Sequence, residues 1–216
     1  MKTQLNFIAL AILTLPLCVT AQGTTYFSNG GVSSDGHVNV GSDSWGAAWF
    51  QTGSAASGYT LESIQLFMGD TAGSPSGFSA MLWNFQTGQP ILTLTGPNPT
   101  TAGIYTFSAS SFVMPPNKVY WFVATSQTPT AGGGFTWAYT SQNVLGNPWL
   151  GGGYQVSIDG LNWTRESGRE FQFAVNAQLI PEPSSHTLVA LGSIVVAALG
   201  RMYARTKTPK SKETNA

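Results

Sequence analysis

Along residues 45 to 178 apolar and polar positions alternate with a period close to two, and the alternation is interrupted at short intervals by glycine, proline and asparagine. Leu61, Ile64, Leu66 and Met68 fall on one side of such a run, as do Phe171, Phe173, Val175 and Ala177. That is the signature of strands with one face buried and the other wet. It predicts strands at 45–52, 59–68, 78–85, 91–95, 105–112, 119–125, 135–140, 154–158 and 170–178. Between them, Gly69-Asp70, Gly88-Gln89-Pro90 and Pro115-Pro116-Asn117 carry turn chemistry. The glycine triplets at 132–134 and 151–153 read as flexible loops, and Asp159-Gly160 reads as a two-residue hairpin turn. No ten-residue amphipathic helix is left over. Strands without βαβ alternation, enclosing one core, imply an all-β fold: an antiparallel two-sheet sandwich, jelly-roll-like, over residues 22–179.

The two ends follow different rules. Lys2 precedes an apolar stretch from Leu5 to Val19 that closes on Val19-Thr20-Ala21, which reads as a secretory signal peptide, residues 1–21, cut after Ala21. Its removal takes away Cys18, the chain's single cysteine, so the exported body has no disulfide, no thiolate metal site and no thiol nucleophile. Leu17 is too bulky for lipoprotein processing at Cys18. At the other end, Pro181-Glu182-Pro183 precedes an uncharged run from Thr187 to Gly200 and then the bases Arg201, Arg205 and Lys207. An apolar segment followed by cations is a stop-transfer signal with the basic end cytoplasmic. As a helix its fourteen residues span only about 21 Å, against about 30 Å of hydrocarbon. The span therefore needs residues 187–204 and a snorkelling Arg201. Such an anchor is marginal for permanent residence, and residues 206–216 form a basic cytoplasmic tail.

The order Pro181-Glu182-Pro183, short apolar span, arginine-bearing tail resembles the PEP-CTERM sorting signal of exopolysaccharide-producing Gram-negative bacteria, over residues 180–205. The resemblance implies that an exosortase-type membrane enzyme acts at the motif. The protein, transiently held in the membrane, is then delivered to the cell envelope, the outer surface or the extracellular matrix. Here the basic cluster is interrupted by Met202, Tyr203 and Ala204. The segments YTLESIQLFMG, GFSAMLWN, MPPNKVYWFVAT and EFQFAVNA are similar to those of choice-of-anchor domains, β-sandwich exodomains found ahead of surface-sorting signals.

Charge and chemistry narrow the function. The 216 residues are 8% charged, far below the roughly 25% of ordinary domains, and their net charge is zero. Between residues 22 and 180 three bases (Lys118, Arg165, Arg169) face seven acids, so no basic surface offers itself to nucleic acid. His37, read as a surface residue in a Gly/Ser/Asp loop, is the body's single histidine and no nucleophile elbow is present, so no catalytic residue is assigned. Glu166 and Glu170, the one close carboxylate pair, sit beside Arg165 and Arg169 and read as exposed ion pairs rather than a glycosidase dyad. Asp35 and Asp43, among Ser, Asn and Gly, are weak ligands for Ca²⁺, the only cofactor the residues suggest. All seven tryptophans lie in the body. Trp83 and Trp121 fall within strands and read as core. Trp149 and Trp163, in loop surroundings, are the candidates for stacking on sugar rings. The expectation is a non-enzymatic exported protein with a structural or weak exopolysaccharide-binding role in the envelope or a biofilm matrix. A lectin-like module using exposed Trp and a cryptic glycan hydrolase are the alternatives.

Overall fold

The computed structural model describes residues 23–142, 144 and 148–182. The expected signal peptide, apolar span, stop-transfer bases and basic tail lie outside the described residues.

The strands in chain order are β1 (Thr24–Ser28), β2 (Gly36–Val40), β3 (Trp45–Gln51), β4 (Tyr59–Met68), β5 (Ala72–Gly73), β6 (Ser79–Asn84) and β7 (Gln89–Leu94). They continue with β8 (Gly103–Met114), β9 (Val119–Thr125), β10 (Gly133–Thr140), β11 (Leu150–Ser157), β12 (Thr164–Arg165), β13 (Glu170–Phe171) and β14 (Phe173–Leu179). They pair antiparallel in two sheets, one running β1-β14-β4-β10-β13, with β8 beside β4 and with β2 and β5 beside β10. The other runs β12-β11-β3-β9-β6-β7. Reciprocal bonds between Thr95 and Ser108 tie the β7 end of one sheet to β8 of the other. The result is the expected all-β, two-sheet antiparallel sandwich.

The inner faces interleave large and small side chains. Ile64 and Leu66 of β4 and Phe173 and Val175 of β14 face Phe50 of β3, Phe122 of β9 and Leu82 of β6 in one cluster, each fully buried. Trp137 of β10 stacks on Phe171 at 4.0 Å, and its Nε1–H donates to the Gln172 carbonyl. Each buried Phe or Leu contributes about 1.5–3 kcal/mol, and the described residues include no cysteine to add a cross-link. The run 170–178 is broken at Gln172, where the chain passes from pairing with β10 to pairing with β4. Buried Asn29 bridges the break by donating to the Phe171 carbonyl and accepting from the Phe173 N–H, both at 2.8 Å.

Three expectations are corrected. The glycines at 133–134 and 151–153 belong to β10 and β11. In β11 rings press on the backbone, since a Cβ on Gly151 would meet Phe27 at 2.7 Å and one on Gly153 would meet Trp49 at 2.7 Å, whereas in β10 a Cβ on Gly133 would run into the Ala72 carbonyl. The pairing of β11 with β3 shifts register between Gly152 and Gln155, a bulge that glycine permits. Asp159-Gly160 is not a two-residue hairpin, since Val156 pairs with Thr164 and the connection spans residues 158–163. Asp159 sets that length by accepting from the Leu161 and Asn162 N–H groups at 2.8 and 2.9 Å. His37 lies on β2, exposed and opposite Ala138, rather than in a loop.

Candidate functional site

The outer faces of the two sheets differ in kind. On the first, Thr25, Ser63, Gln65, Thr106 and Asn176 form a polar lattice, with Thr25 donating to Asn176 at 2.6 Å and Asn176 to Ser63 at 3.1 Å. On the second, the side of β3, β9 and β6 turned away from the core carries Trp45, Ala47 and Trp49, then Trp121 and Val123, then Met81 and Trp83. Trp49 pairs with Trp121, and Trp121 with Trp83, in a single cross-strand file. No ionisable side chain stands among these positions. Adjacent strands lie about 4.8 Å apart, so the three residues of the file are backbone neighbours on one face.

The 158–163 connection folds Trp163 onto this face. Trp163 meets Trp121 edge-on at 5.3 Å and Trp83 at 6.3 Å, while Trp45 meets Trp83 at 6.2 Å. Trp83 is covered, at 7% exposure, and Trp45, Trp49, Trp121 and Trp163 are half-buried. The buried Nε1–H groups of Trp83 and Trp121 have no hydrogen-bond partner among the described residues. Trp121 and Trp83, read from the sequence as core, thus lie on the far side of the sheet from the main core. Phe85, 42% exposed, continues the apolar strip from Trp121 at 5.5 Å.

Beyond Phe85 the strip runs into an open groove of about 480 Å³ between the β6–β7 turn and the β8–β9 turn. Both turns are fixed. Asn84 Oδ1 accepts from the N–H groups of Gln86 and Thr87 at 2.8 and 3.1 Å. Across the groove the buried Thr52 hydroxyl donates to the Pro115 carbonyl at 2.7 Å and accepts from the Lys118 N–H at 2.9 Å. Asn117 between them takes φ 56°, a conformation asparagine tolerates better than most residues. The second turn is the Pro115-Pro116-Asn117 punctuation mark of the sequence, but of Gly88-Gln89-Pro90 only Gly88 lies in the first turn, since Gln89 and Pro90 pair in β7 with Asn84 and Trp83; the two turns bracket one groove. What the sequence did not reveal is that they face one another.

The expected sugar-contacting pair is not a pair. Trp149 is 2% exposed, stacked on Tyr26 at 4.7 Å and on Phe50 at 5.9 Å, with Tyr59 edge-on at 4.8 Å. It is core, drawn in because its N–H donates to the Tyr26 carbonyl and ties the chain to the end of β1. Trp163 alone of the two reaches the surface. Asp35 and Asp43 do not converge. Asp35 accepts from Ser141 and Asp43 from Thr130, on either side of the eight-residue β10, about 25 Å of strand apart. Those bonds hold both carboxyls below the usual carboxylate range: for Asp35 chiefly the Ser141 hydroxyl, for Asp43 chiefly the Thr130 N–H. Each pins a loop, and no group of three or more His, Cys, Asp or Glu able to hold a metal occurs among the described residues.

Glu166 and Arg169 form one of the expected exposed ion pairs at 3.0 Å, with Arg169 over the Tyr139 ring at 4.8 Å, whereas Glu170 is half-buried and makes no ion pair among the described residues. They border a second cleft of about 280 Å³ together with Glu170 and Trp49. Burial raises the Glu170 carboxyl, with a bond from Asn29 opposing the shift. Of the expected sorting motif, Pro181 and Glu182 are exposed, immediately after Ile180 is tied to Gly58 by its N–H at 3.1 Å. Pro183 lies outside the described residues. Among the described residues no helix is long and apolar enough to cross a membrane.

Comparison of the chain with protein-family models and with curated proteins finds no match to either.

Proposed function

We propose that this chain is a non-enzymatic exported protein, a jelly-roll-like sandwich of the kind carried by PEP-CTERM proteins, that contacts polysaccharide through the outer face of its second sheet. An exosortase-type enzyme acts at Pro181-Glu182-Pro183, and the body is delivered to the cell envelope or the exopolysaccharide matrix. The observation that carries the binding role is the asymmetry of the sandwich. Hydroxyls and amides hold the middle of one outer face, whereas the other gathers Trp45, Trp49, Trp121 and Trp163, with Arg165 at its β12 edge, and continues through Phe85 into a groove. Ring faces and edges of this kind attract the C–H-rich faces of pyranoses without needing charge. The sorting role is supported by the sequence of the two ends and by the exposure of Pro181 and Glu182 directly after the last strand.

Retention of the mature protein on insoluble neutral glucans and on purified exopolysaccharide tests the binding role. Retention should survive 1 M salt and fall at least about tenfold in Trp163→Ala and Trp121→Ala, the cost of about one stacked ring. Salt-sensitive retention indifferent to both changes would refute it, and release of new reducing ends from any glycan would return the hydrolase alternative. Intact mass of the protein recovered from matrix tests sorting. A chain still carrying residues 187–216 would show that the tail only anchors.

A further inference from the structure

We infer that the groove between the β6–β7 and β8–β9 turns reads a carboxylate-bearing pyranose of the bound polysaccharide, with Lys118 taking the carboxylate. The inference rests on the polysaccharide reading above and deepens it by naming the sugar class. Its first support is unused hydrogen-bonding capacity. The side-chain amides of Gln86 and Asn117, the Lys118 ammonium and the Tyr120 hydroxyl all border the groove, and among the described residues none of them bonds to the rest of the chain. Their backbones, by contrast, are locked by Asn84 and Thr52. A concave site with apolar walls and a few convergent polar groups is the form of a small-ligand site. Here Phe85 and Phe112 supply the apolar walls.

The second support is charge. Lys118 is one of three bases in the described residues. Of the others, Arg169 is paired with Glu166, and Arg165 shares its cleft with Glu166 and Glu170. Lys118 has no carboxylate within ion-pair reach among the described residues, and none of the body's seven acids lines the groove. An isolated ammonium beside free amides and a phenol is complementary to an anionic sugar, whose carboxylate accepts from Lys118 while its ring hydroxyls meet Gln86, Asn117 and Tyr120. The third support is continuity. Phe85 touches Trp121 at 5.5 Å, so a chain lying on the aromatic face enters the groove without a break.

Titration of the mature protein with an oligogalacturonate, a neutral gluco-oligosaccharide of equal length and a polyglutamate peptide, by calorimetry at low salt, tests the assignment. The oligouronate should bind about tenfold more tightly than the neutral oligomer, the difference a charge-assisted bond makes. Lys118→Gln, an exposed change that touches no core contact, should erase that preference and leave the thermal midpoint unchanged. Phe85→Ala should weaken both sugars. Neutral and acidic oligomers binding equally, or a preference that persists in Lys118→Gln, would overturn the assignment while leaving the polysaccharide reading intact. Polyglutamate binding as tightly as the oligouronate would replace the sugar by an acidic peptide. Binding of neither sugar would remove the polysaccharide reading and this inference with it.

Discussion

Replacing Trp149 by alanine separates a structural ring from a sugar-contacting one. The indole is 2% exposed, and three aromatic rings lie within 6 Å of it, two stacked and one edge-on. Truncating a buried Trp to Ala costs about 3–5 kcal/mol, lost transfer energy and residual cavity together. Trp149 belongs at the upper part of that range, because its contacts bring together β1, β3 and the start of β4, which cannot all collapse into one cavity. At a urea slope of about 2 kcal/mol/M the midpoint falls by about 2 M. Trp149→Phe is the discriminating companion. The Nε1–H of Trp149 is buried without a partner, so phenylalanine removes an uncompensated donor worth about 1–3 kcal/mol while retaining a ring against Tyr26 and Phe50. The two effects offset, and Trp149→Phe should lie within about 1 kcal/mol of the parent. Equilibrium urea unfolding followed by far-ultraviolet circular dichroism reads both. A midpoint shift below about 0.5 M for Trp149→Ala, accompanied by loss of glycan retention, would return the ring to the surface and refute the packing argument.

Gly153 offers a sharper geometric test: at φ 89°, with its Cβ direction aimed at the Trp49 ring 2.7 Å away, Gly153→Ala should cost more than about 1 kcal/mol and displace Trp49. Red-shifted tryptophan emission together with a lower thermal midpoint checks it, and an unchanged midpoint would show that β11 carries no strain there. Stability should also depend on pH with two opposed signs. Asp159, held well below the usual carboxylate range by the Asn162 and Leu161 N–H groups, joins Asp35 and Asp43 in stabilising the fold above an unfolded value of about 3.9, a contribution lost as pH falls below it. Glu170, raised by burial, acts the other way, gaining stability as pH drops through its folded value toward about 4.3. Thermal midpoints at pH 7, 5 and 3 should therefore fall between pH 5 and 3, less steeply in Asp159→Asn. Glu170→Gln should be no less stable than the parent at pH 7, and a marked loss there would contradict the sign.

The strands were legible because alternation survives without knowledge of partners. Seven of the predicted runs overlap strands almost end to end, and even the three-residue step from Leu61 to Ile64 marks a real bulge against β8. β1 and β2 were missed because TTYFS and GHVNV bury little more than Phe27 and Val40, so neither shows a repeating face. The site was hidden for a different reason. Alternation says that β3 has two faces, Gly46-Ala48-Phe50 and Trp45-Ala47-Trp49, and size alone assigns the tryptophans inward. The opposite holds because rings from the facing sheet already fill the space: a Cβ on Gly46 would meet Phe171 and Trp137 at 3.1 Å. Close packing lets large residues on one sheet demand small ones opposite, which turns Trp45 and Trp49 out, where β9 and β6 add Trp121 and Trp83. The core's own stereochemistry thus assembles the aromatic face. Enlarging the inner layer at Gly46 should therefore break the sandwich before it alters the proposed sugar contact, whereas trimming Trp163 should do the reverse, since its ring packs on the outside of a sheet the core already holds.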